Sequence, residues 1–465
     1  MTEQKAVSPQ KIFMSVALVI ALGSLEKSIV TTPLPMIGDA LNAGNALTWV
    51  VTAYLLAATA VLPVYGKLSD ILGRVRMLYI GITLFIIGSI ACGFAQDLQT
   101  LIIARVIQGI GGGGLIALAF TVIADCIPAR EVGKYQGFIS MVYAVSSIAG
   151  PLLGGYFAEH LSWRWVFWIN IPLGLIAVFL IRRNLSHLNK KRDSKFDWLG
   201  AMMLMICSTS LLLLLSPEAE LPISWTGGAF IASILLLIVV ERRVSDPMLP
   251  ARLAKLPGYL VCILLILCSQ LLMFAILVYL PMQMQWQKGL SASASGEIMV
   301  IFMISITLGA YCGGKLVNKS GEYKRYALFG FFLAAVSFAM IQHHLFQAVA
   351  LGLSGLGIGF TLPALGVVVQ NVLPPKDRGI GMSLFNFGRE LGGAIGVAAC
   401  STVFQLSLKN NGVAKETSLA NYSPQALATG FNAIYLLMAV MALVAMIITF
   451  FALKKQTLAT EIKHD

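Results

Sequence analysis

Five ionisable side chains occupy places where charge is expensive. Of the 33 basic and 21 acidic residues, only Glu26, Lys27, Arg105, Arg389 and Glu390 lie inside the predicted membrane core; the others sit in the polar gaps between the long apolar stretches or within a turn of their ends. A charge in lipid costs a few kcal/mol even on the mildest scales, so it marks a pathway or a proton site unless a neighbour neutralises it. A carboxylate that is both desolvated and beside a cation is balanced between two protonation states, and exchanges a proton as its surroundings shift. Glu26 is the first candidate. It lies about 13 Å below the external end of the stretch 11–35, and Arg105 about 10 Å below that of the stretch 99–124, at 1.5 Å per residue. Similar depths allow a charge-assisted pair. The competing readings are an Arg105 that snorkels to the interface and a static pair of Glu26 with Arg105 or Lys27. Consecutive helical residues point about 100° apart. Glu26 and Lys27 therefore do not both face one cavity: Lys27 snorkels outward or neutralises another acid. Glu390 is a second acid. It serves as a proton site, as counter-charge for a cationic substrate, or as the internal balance of Arg389.

The elements that must position these residues are apolar and long. The chain has 465 residues, 58% hydrophobic and 12% charged, with mean hydropathy +0.83. That excludes a soluble domain of this size. About 20 apolar residues span a bilayer, and fourteen stretches qualify: 11–35, 46–66, 77–95, 99–124, 135–158, 164–181, 198–216, 224–240, 258–282, 294–314, 326–342, 345–369, 380–406 and 430–453. Backbone groups in lipid must bond within their own segment, which makes these helices; they are too long and too continuously apolar for barrel strands. An even number of spans leaves both termini on one side. Loops on that side hold 26 Lys and Arg, whereas the opposite loops hold four: Arg164, Lys288, Lys409 and Lys415. The positive-inside rule then predicts a multi-pass protein of the cytoplasmic (inner) membrane with both termini cytoplasmic. The net charge of +12 follows from this bias and implies no nucleic acid; the basic loops are expected to touch anionic lipid headgroups. The N-terminus, with Lys5 and Lys11 and no small-residue cleavage site, does not read as a signal peptide.

The seven cysteines are dispersed and form no C-x-x-C pair, so they read as packing residues. The His residues suggest no metal site, and His343–His344 falls in a short external turn. No nucleophile–base pair, cofactor motif or phosphate loop is visible, which argues against an enzyme.

Gly66-Lys67-Leu68-x-Asp70-x-x-Gly73 recurs as Gly314-Lys315-Leu316-x-Asn318-x-x-Gly321, an offset of 248 that also carries Gly109-x-Gly111 onto Gly357-x-Gly359. The repeat predicts two six-span halves, 11–182 and 258–453, enclosing a midplane site. Residues 183–257 are left over as two basic linkers around an inserted transmembrane hairpin, almost purely apolar and suited to lipid contact. At the same offset Glu26 falls on Phe274 and Arg105 on Leu353. The first half keeps its buried charges at positions where the second half has apolar residues.

Several motifs resemble those of the major facilitator superfamily. Gly66 to Arg76 resembles motif A, whose glycines permit a tight turn. Asp70 there suits a helix N-terminus. The resemblance gives it the start of span 13, near Gly379, as partner, and pairs Arg74 with Asp125 in a cytoplasmic gate. The second copy has Asn318 and Glu322 instead and carries no gate. Leu101-x-x-x-Arg105-x-x-Gln108-Gly109-x-Gly111 resembles motif B. Ser146-x-x-x-Gly150-Pro151-x-x-Gly154-Gly155 resembles motif C, associated with antiporters; Pro151 frees a carbonyl and bends the helix, and the glycines allow close helix approach. Leu25-Glu26-Lys27-Ser28-Ile29-Val30-x-x-Pro33-Leu34-Pro35 resembles the span-one signature of the 14-helix drug:proton antiporters, with Glu in place of the usual Asp. Trp163-Arg164-Trp165-x-Phe167-Trp168-x-Asn170-x-Pro172 matches the same branch and reads as an interface anchor. Asn386-x-x-Arg389-Glu390-x-Gly392-Gly393-x-x-Gly396 resembles it less closely, because of the acid.

The resemblance implies an all-α integral membrane protein: two six-helix bundles plus an inserted two-helix hairpin, fourteen transmembrane helices in all. It implies export of amphipathic, often cationic compounds against inward proton flow, by a monomer whose partners are a small-molecule substrate, protons and membrane lipids. Glu26, Arg105 and Glu390 would couple protons. Trp49, Tyr54, Gln270, Phe274, Tyr279, Phe302, Asn386, Phe387 and Arg389 would line the substrate cavity. The alternatives are export of one metabolite, such as a siderophore, lipid or amino acid, and a membrane sensor or scaffold.

Overall fold

A computed structural model describes residues 9–126, 129–185, 197–215, 222–241, 243–244, 251–342, 347–374, 377–411 and 422–453. His343–His344 lie outside the described residues, as do the side chains of Asp70, Asp125 and Asn318. The regular elements among the described residues are helices, with no strand. In chain order the helices are α1 (Pro9–Ile29), α2 (Leu34–Ala40), α3 (Trp49–Leu72), α4 (Arg74–Phe94), α5 (Leu98–Gly112), α6 (Leu115–Cys126), α7 (Ala129–His160), α8 (Trp165–Trp168) and α9 (Asn170–Leu185). They continue with α10 (Trp198–Leu214), α11 (Ile223–Glu241), α12 (Ala251–Ala254), α13 (Tyr259–Met282), α14 (Ala292–Ser320), α15 (Tyr323–Gln342), α16 (Gln347–Val372), α17 (Arg378–Asn410) and α18 (Pro424–Ala452).

Among the described residues, twelve helical segments are long and apolar enough to cross a membrane. Neither α10, apolar but 17 residues long, nor α7 is among them. Serines within the spans donate to carbonyls of their own helix, which suits a lipid setting. Ser24 donates to the Ile20 carbonyl and Ser89 to that of Phe85, both at 2.8 Å.

Two expected spans are interrupted. The stretch 11–35 ends as a helix at Ile29, and a turn carrying Pro33 leads into the separate helix α2. The stretch 99–124 breaks between α5 and α6 at Gly113–Gly114. Both glycines press on α3. A Cβ at Gly113 would meet the Ala58 carbonyl at 2.4 Å, and one at Gly114 the Tyr65 ring at 2.2 Å.

Contacts gather the chain into two units, residues 1–209 with 291–296, and residues 210–290 with 297–465. In the first, α1 packs on α6, α7 and α9, and α5 packs on α3 and α4. In the second, α13 packs on α16, α17 and α18, and α15 on α16 and α18. The faces of α11 carry exposed Trp225, Ile231 and Leu235, which suits contact with lipid.

The repeat is visible in the packing, with a correction to its register. A Cβ at Gly109 would meet the Tyr54 carbonyl at 2.5 Å, and one at Gly113 that of Ala58. The residues that approach the same way in the second unit are Gly355, against the Phe302 carbonyl at 2.6 Å, and Gly359, against that of Ile306 at 2.3 Å. Tyr54 and Phe302 keep the offset of 248, but the glycine helices are offset by 246. Arg105 therefore corresponds to Leu351 and not to Leu353. The glycine spacing of two repeats along α16, through Gly355, Gly357 and Gly359, so the sequence pattern alone does not fix the register.

Candidate functional site

Glu26 and Arg105 form an ion pair, each 1% exposed. The pair and its neighbours come from six helices. Arg105 reaches across from α5 to α1. Its Nη1 also donates to Gln108 Oε1 (2.6 Å), and its Nε donates to the Val50 carbonyl on α3 (2.8 Å). The guanidinium lies over the Tyr54 ring, 4.4 Å from its centroid, with the Phe167 ring at 5.6 Å. The cation is thus held by an amide, a main-chain carbonyl and an aromatic face, in addition to the carboxylate. Gln108 Nε2 donates to Ser89 Oγ on α4 (2.8 Å).

The second oxygen of Glu26 accepts from Asn170 Nδ2 on α9 (2.7 Å). Asn170 is wholly buried, and its Oδ1 has no hydrogen-bond partner among the described residues. The reading of 163–172 as an interface anchor therefore holds for its rim alone. Trp165 is exposed, but Trp163, Val166, Phe167 and Asn170 are buried, and Phe167 and Asn170 belong to the Glu26–Arg105 cluster. The missed signal was depth: Asn170 lies about 9 Å below the external end of the stretch 164–181, level with Arg105, at 1.5 Å per residue.

The motif C glycines brace the same helix. A Cβ at Gly150 would meet Ser28 Oγ at 1.9 Å, and one at Gly154 the Ile29 carbonyl at 2.2 Å. Both contacts lie within one turn of Glu26. Gly155 faces Ala292 and Ser293, and Glu159 accepts from the Ser293 N–H at 3.0 Å. Hydrogen bonds from Ser293 hold the exposed Glu159 carboxyl below its ordinary value.

In the motif A turn, Gly73 joins α3 to α4 with φ +95°, a conformation that favours glycine. Its repeat mate Gly321 has φ +70°. Gly66 differs: among the described residues a Cβ there would meet nothing within 4 Å. Arg74 donates to Ser69 Oγ at 3.3 Å.

In the second unit Arg389 and Glu390 pair loosely, at 3.7 Å, with side chains 28% and 15% exposed. Phe274, Phe302 and Tyr279 are buried within that unit, Phe274 beside Gly393 and Tyr279 donating to the Val397 carbonyl. Gln270 is buried, and Asn386, Phe387 and Trp49 are half-buried, as is Lys27. A neutral cluster that the sequence reading missed follows α13. Gln283–Gln287 form a π turn; Tyr435 donates to Gln283 Oε1 (2.6 Å), and Gln283 Nε2 to Gln287 Oε1 (2.8 Å). Its signal was the glutamine alternation directly after an apolar span. Among the described residues no group of His, Cys, Asp or Glu could hold a metal ion.

The family model described as Major Facilitator Superfamily matches residues 16–397 and 262–463. The chain is 34% identical over 401 residues to the Multidrug transporter protein MdtP of Bacillus subtilis, covering 83% of this chain and 74% of that one. It is 32% identical over 414 residues to Multidrug resistance protein 3 of the same organism, covering 86% and 81%. An uncharacterized MFS-type transporter of Mycobacterium tuberculosis, Rv1877, is 31% identical over 407 residues; 84% of this chain matches 59% of its length, so the chain spans less than two thirds of that relative. Among solved structures, a D-xylose-proton symporter aligns with TM-score 0.66 at 15% identity, over 96% of this chain and 98% of that one. The human organic anion transporter MFSD10 aligns with TM-score 0.63 at 16% identity, over 94% and 99%. These two likenesses concern the fold. Together with the apolar helices, the family match and the relatives above 30% identity show that the chain belongs to the Major Facilitator Superfamily, in its drug:proton branch.

Proposed function

We propose that this membrane protein is a proton-coupled antiporter that exports amphipathic or cationic compounds from the cytoplasm by alternating access. The observation that carries the reading is the fully buried Glu26–Arg105 pair with Asn170 on the free carboxylate oxygen. A carboxyl in such a site, beside a cation that has other partners, gains and loses a proton without the cation leaving. The names of the relatives favour efflux of drug-like molecules. In this reading the chain has fourteen spans, counting α7 and α10, with both termini cytoplasmic in the inner membrane. Its halves are 11–182 and 258–453, with 183–257 as linkers and hairpin. Asp70, Arg74 and Asp125 act at the cytoplasmic gate around the Gly73 turn, and Glu390 is a second acid for a proton or a cationic substrate. The protein works as a monomer.

The test is uptake of a fluorescent cation by inverted vesicles under an imposed pH gradient. Glu26→Gln should abolish gradient-driven uptake while the protein folds and still binds the dye. Uptake at the wild-type rate would sink the coupling role of Glu26.

A further inference from the structure

We propose that Asn170 is a positioning residue for proton exchange at Glu26, its amide turning end for end to present Nδ2 to the carboxylate and Oδ1 to the carboxylic acid. The inference rests on the proton-coupling reading above and adds a residue and a movement to it. Asn170 donates from Nδ2 to Glu26 Oε2 at 2.7 Å, with Ser89 Oγ at 3.4 Å from the same nitrogen. Its Oδ1 is buried with no partner among the described residues. A buried, unpaired carbonyl oxygen is costly and rare in native proteins. The neighbouring amide shows the contrast: Gln108 uses both ends, accepting from Arg105 and donating to Ser89, so it is fixed in one orientation. Asn170 is committed at one end alone.

The unused acceptor has a use in the other protonation state. An ionised carboxylate only accepts hydrogen bonds, whereas a carboxylic acid also carries one O–H donor. A proton arriving from water on Oε2 would point at Nδ2, donor against donor. Rotation about the Asn170 Cβ–Cγ bond by half a turn replaces Nδ2 with Oδ1, and the acid then donates to it. Loss of the proton to water reverses the turn, and no covalent bond to Asn170 forms or breaks. Arg105 does not need to follow, because Gln108, the Val50 carbonyl and the Tyr54 face hold it throughout. The charged and titratable groups around Glu26 and its partner among the described residues are Arg105 from α5, Tyr54 from α3 against the guanidinium, the Cys92 thiol from α4 and Lys27, the next residue on α1. The described parts of α6 and α7 add none, and α9 adds the neutral amide.

Infrared difference spectra of the full-length protein in lipid, between acidic and alkaline buffer, test this directly. Wild type should show a protonated-carboxyl stretch that Glu26→Gln removes. Asn170→Leu should leave the band but move it to higher frequency, because the acid loses its acceptor. If Leu is not accommodated, Asn170→Ala carries the same measurement with space to spare. A band at the wild-type frequency in either folded variant overturns the proposal and leaves the coupling reading intact. Absence of any Glu26-dependent band also overturns it. Wild-type driven transport in Glu26→Gln overturns the coupling reading, and this inference with it.

Discussion

Gly109 and Gly113 bring α5 onto the main chain of α3 at Tyr54 and Ala58; Gly355 and Gly359 bring α16 onto the main chain of α14 at Phe302 and Ile306. The two units share this scaffold to within a few tenths of an ångström. One turn before Gly109 the first unit places Arg105, in contact with a carboxylate, two amides' worth of polar atoms and an aromatic ring. The second unit places Leu351 there, buried and apolar. Next to it, Gln108 corresponds to Ser354, whose hydroxyl is satisfied by its own helix at the Leu351 carbonyl (2.8 Å). The comparison teaches that the helix crossing needs glycine and does not need charge. The charge in the first unit is an addition to the shared scaffold, and the proposed proton site gives it a use.

The sharpest way to break the comparison is to give the first unit the second unit's residue. Arg105→Leu leaves Glu26 buried without its cation, which should cost about 3–5 kcal/mol and lower the melting temperature, with driven transport lost. The double variant Glu26→Met/Arg105→Leu should recover most of the stability, since removing both partners of a buried pair is often near neutral. It should not recover transport. A double variant as unstable as the single one would mean that the pair holds the unit together.

Gly109→Ala and Gly355→Ala should each cost about 1–3 kcal/mol, because the new methyl meets a backbone carbonyl that cannot swing aside. Equal costs at 109 and 355 support the register drawn here. Gly66→Ala is the control: with nothing nearby among the described residues, thermal melting should move by no more than a surface substitution does, about 0.5 kcal/mol.

The Arg389–Glu390 pair is longer and partly exposed, so Glu390→Gln should cost under about 1 kcal/mol. Its expected signature is selective: weaker half-saturation for cationic substrates and none for neutral ones. A uniform loss, rescued by adding Arg389→Gln, would make the pair an internal balance. The smallest effect belongs to Glu159. Its carboxyl is held low by hydrogen bonds from Ser293, so the contact stabilises above the unfolded value near 4.5 and is lost as pH falls through the folded value. The melting-temperature gap between wild type and Glu159→Gln should narrow on acidification; a gap that widens would reverse this assignment.

Twelve of the fourteen expected spans were legible because twenty apolar residues have few other uses in a chain, and the Glu26–Arg105 pair because charge within such a run is conspicuous. Asn170 was not legible for the opposite reason. A neutral amide among tryptophans looks like the rim of a membrane protein, and only its depth separates it from one. Ser89 and Cys92 are small enough to pass as packing. The breaks at Ile29 and at Gly113–Gly114 were hidden because hydropathy records how apolar a segment is and not whether its backbone is continuous. The register of the repeat was misplaced by two residues, since glycines recurring every second position match themselves at more than one offset. The gate carboxylates Asp70 and Asp125 stay where the sequence left them, as expectations for the vesicle assays.

Arg105 is fastened by a main-chain carbonyl, an amide and a ring, none of which depends on Glu26. A carrier with a neutral residue at 26 would therefore keep its arginine in place and its helices packed. Under the coupling proposed above, it would have lost the obligation to exchange a proton while keeping the path for its cargo. Such a variant should let a substrate run down its own gradient in either direction, a leak that equalises concentrations where the parent builds them. Cells expressing Glu26→Gln would then be more permeable to the compound than cells with no carrier at all.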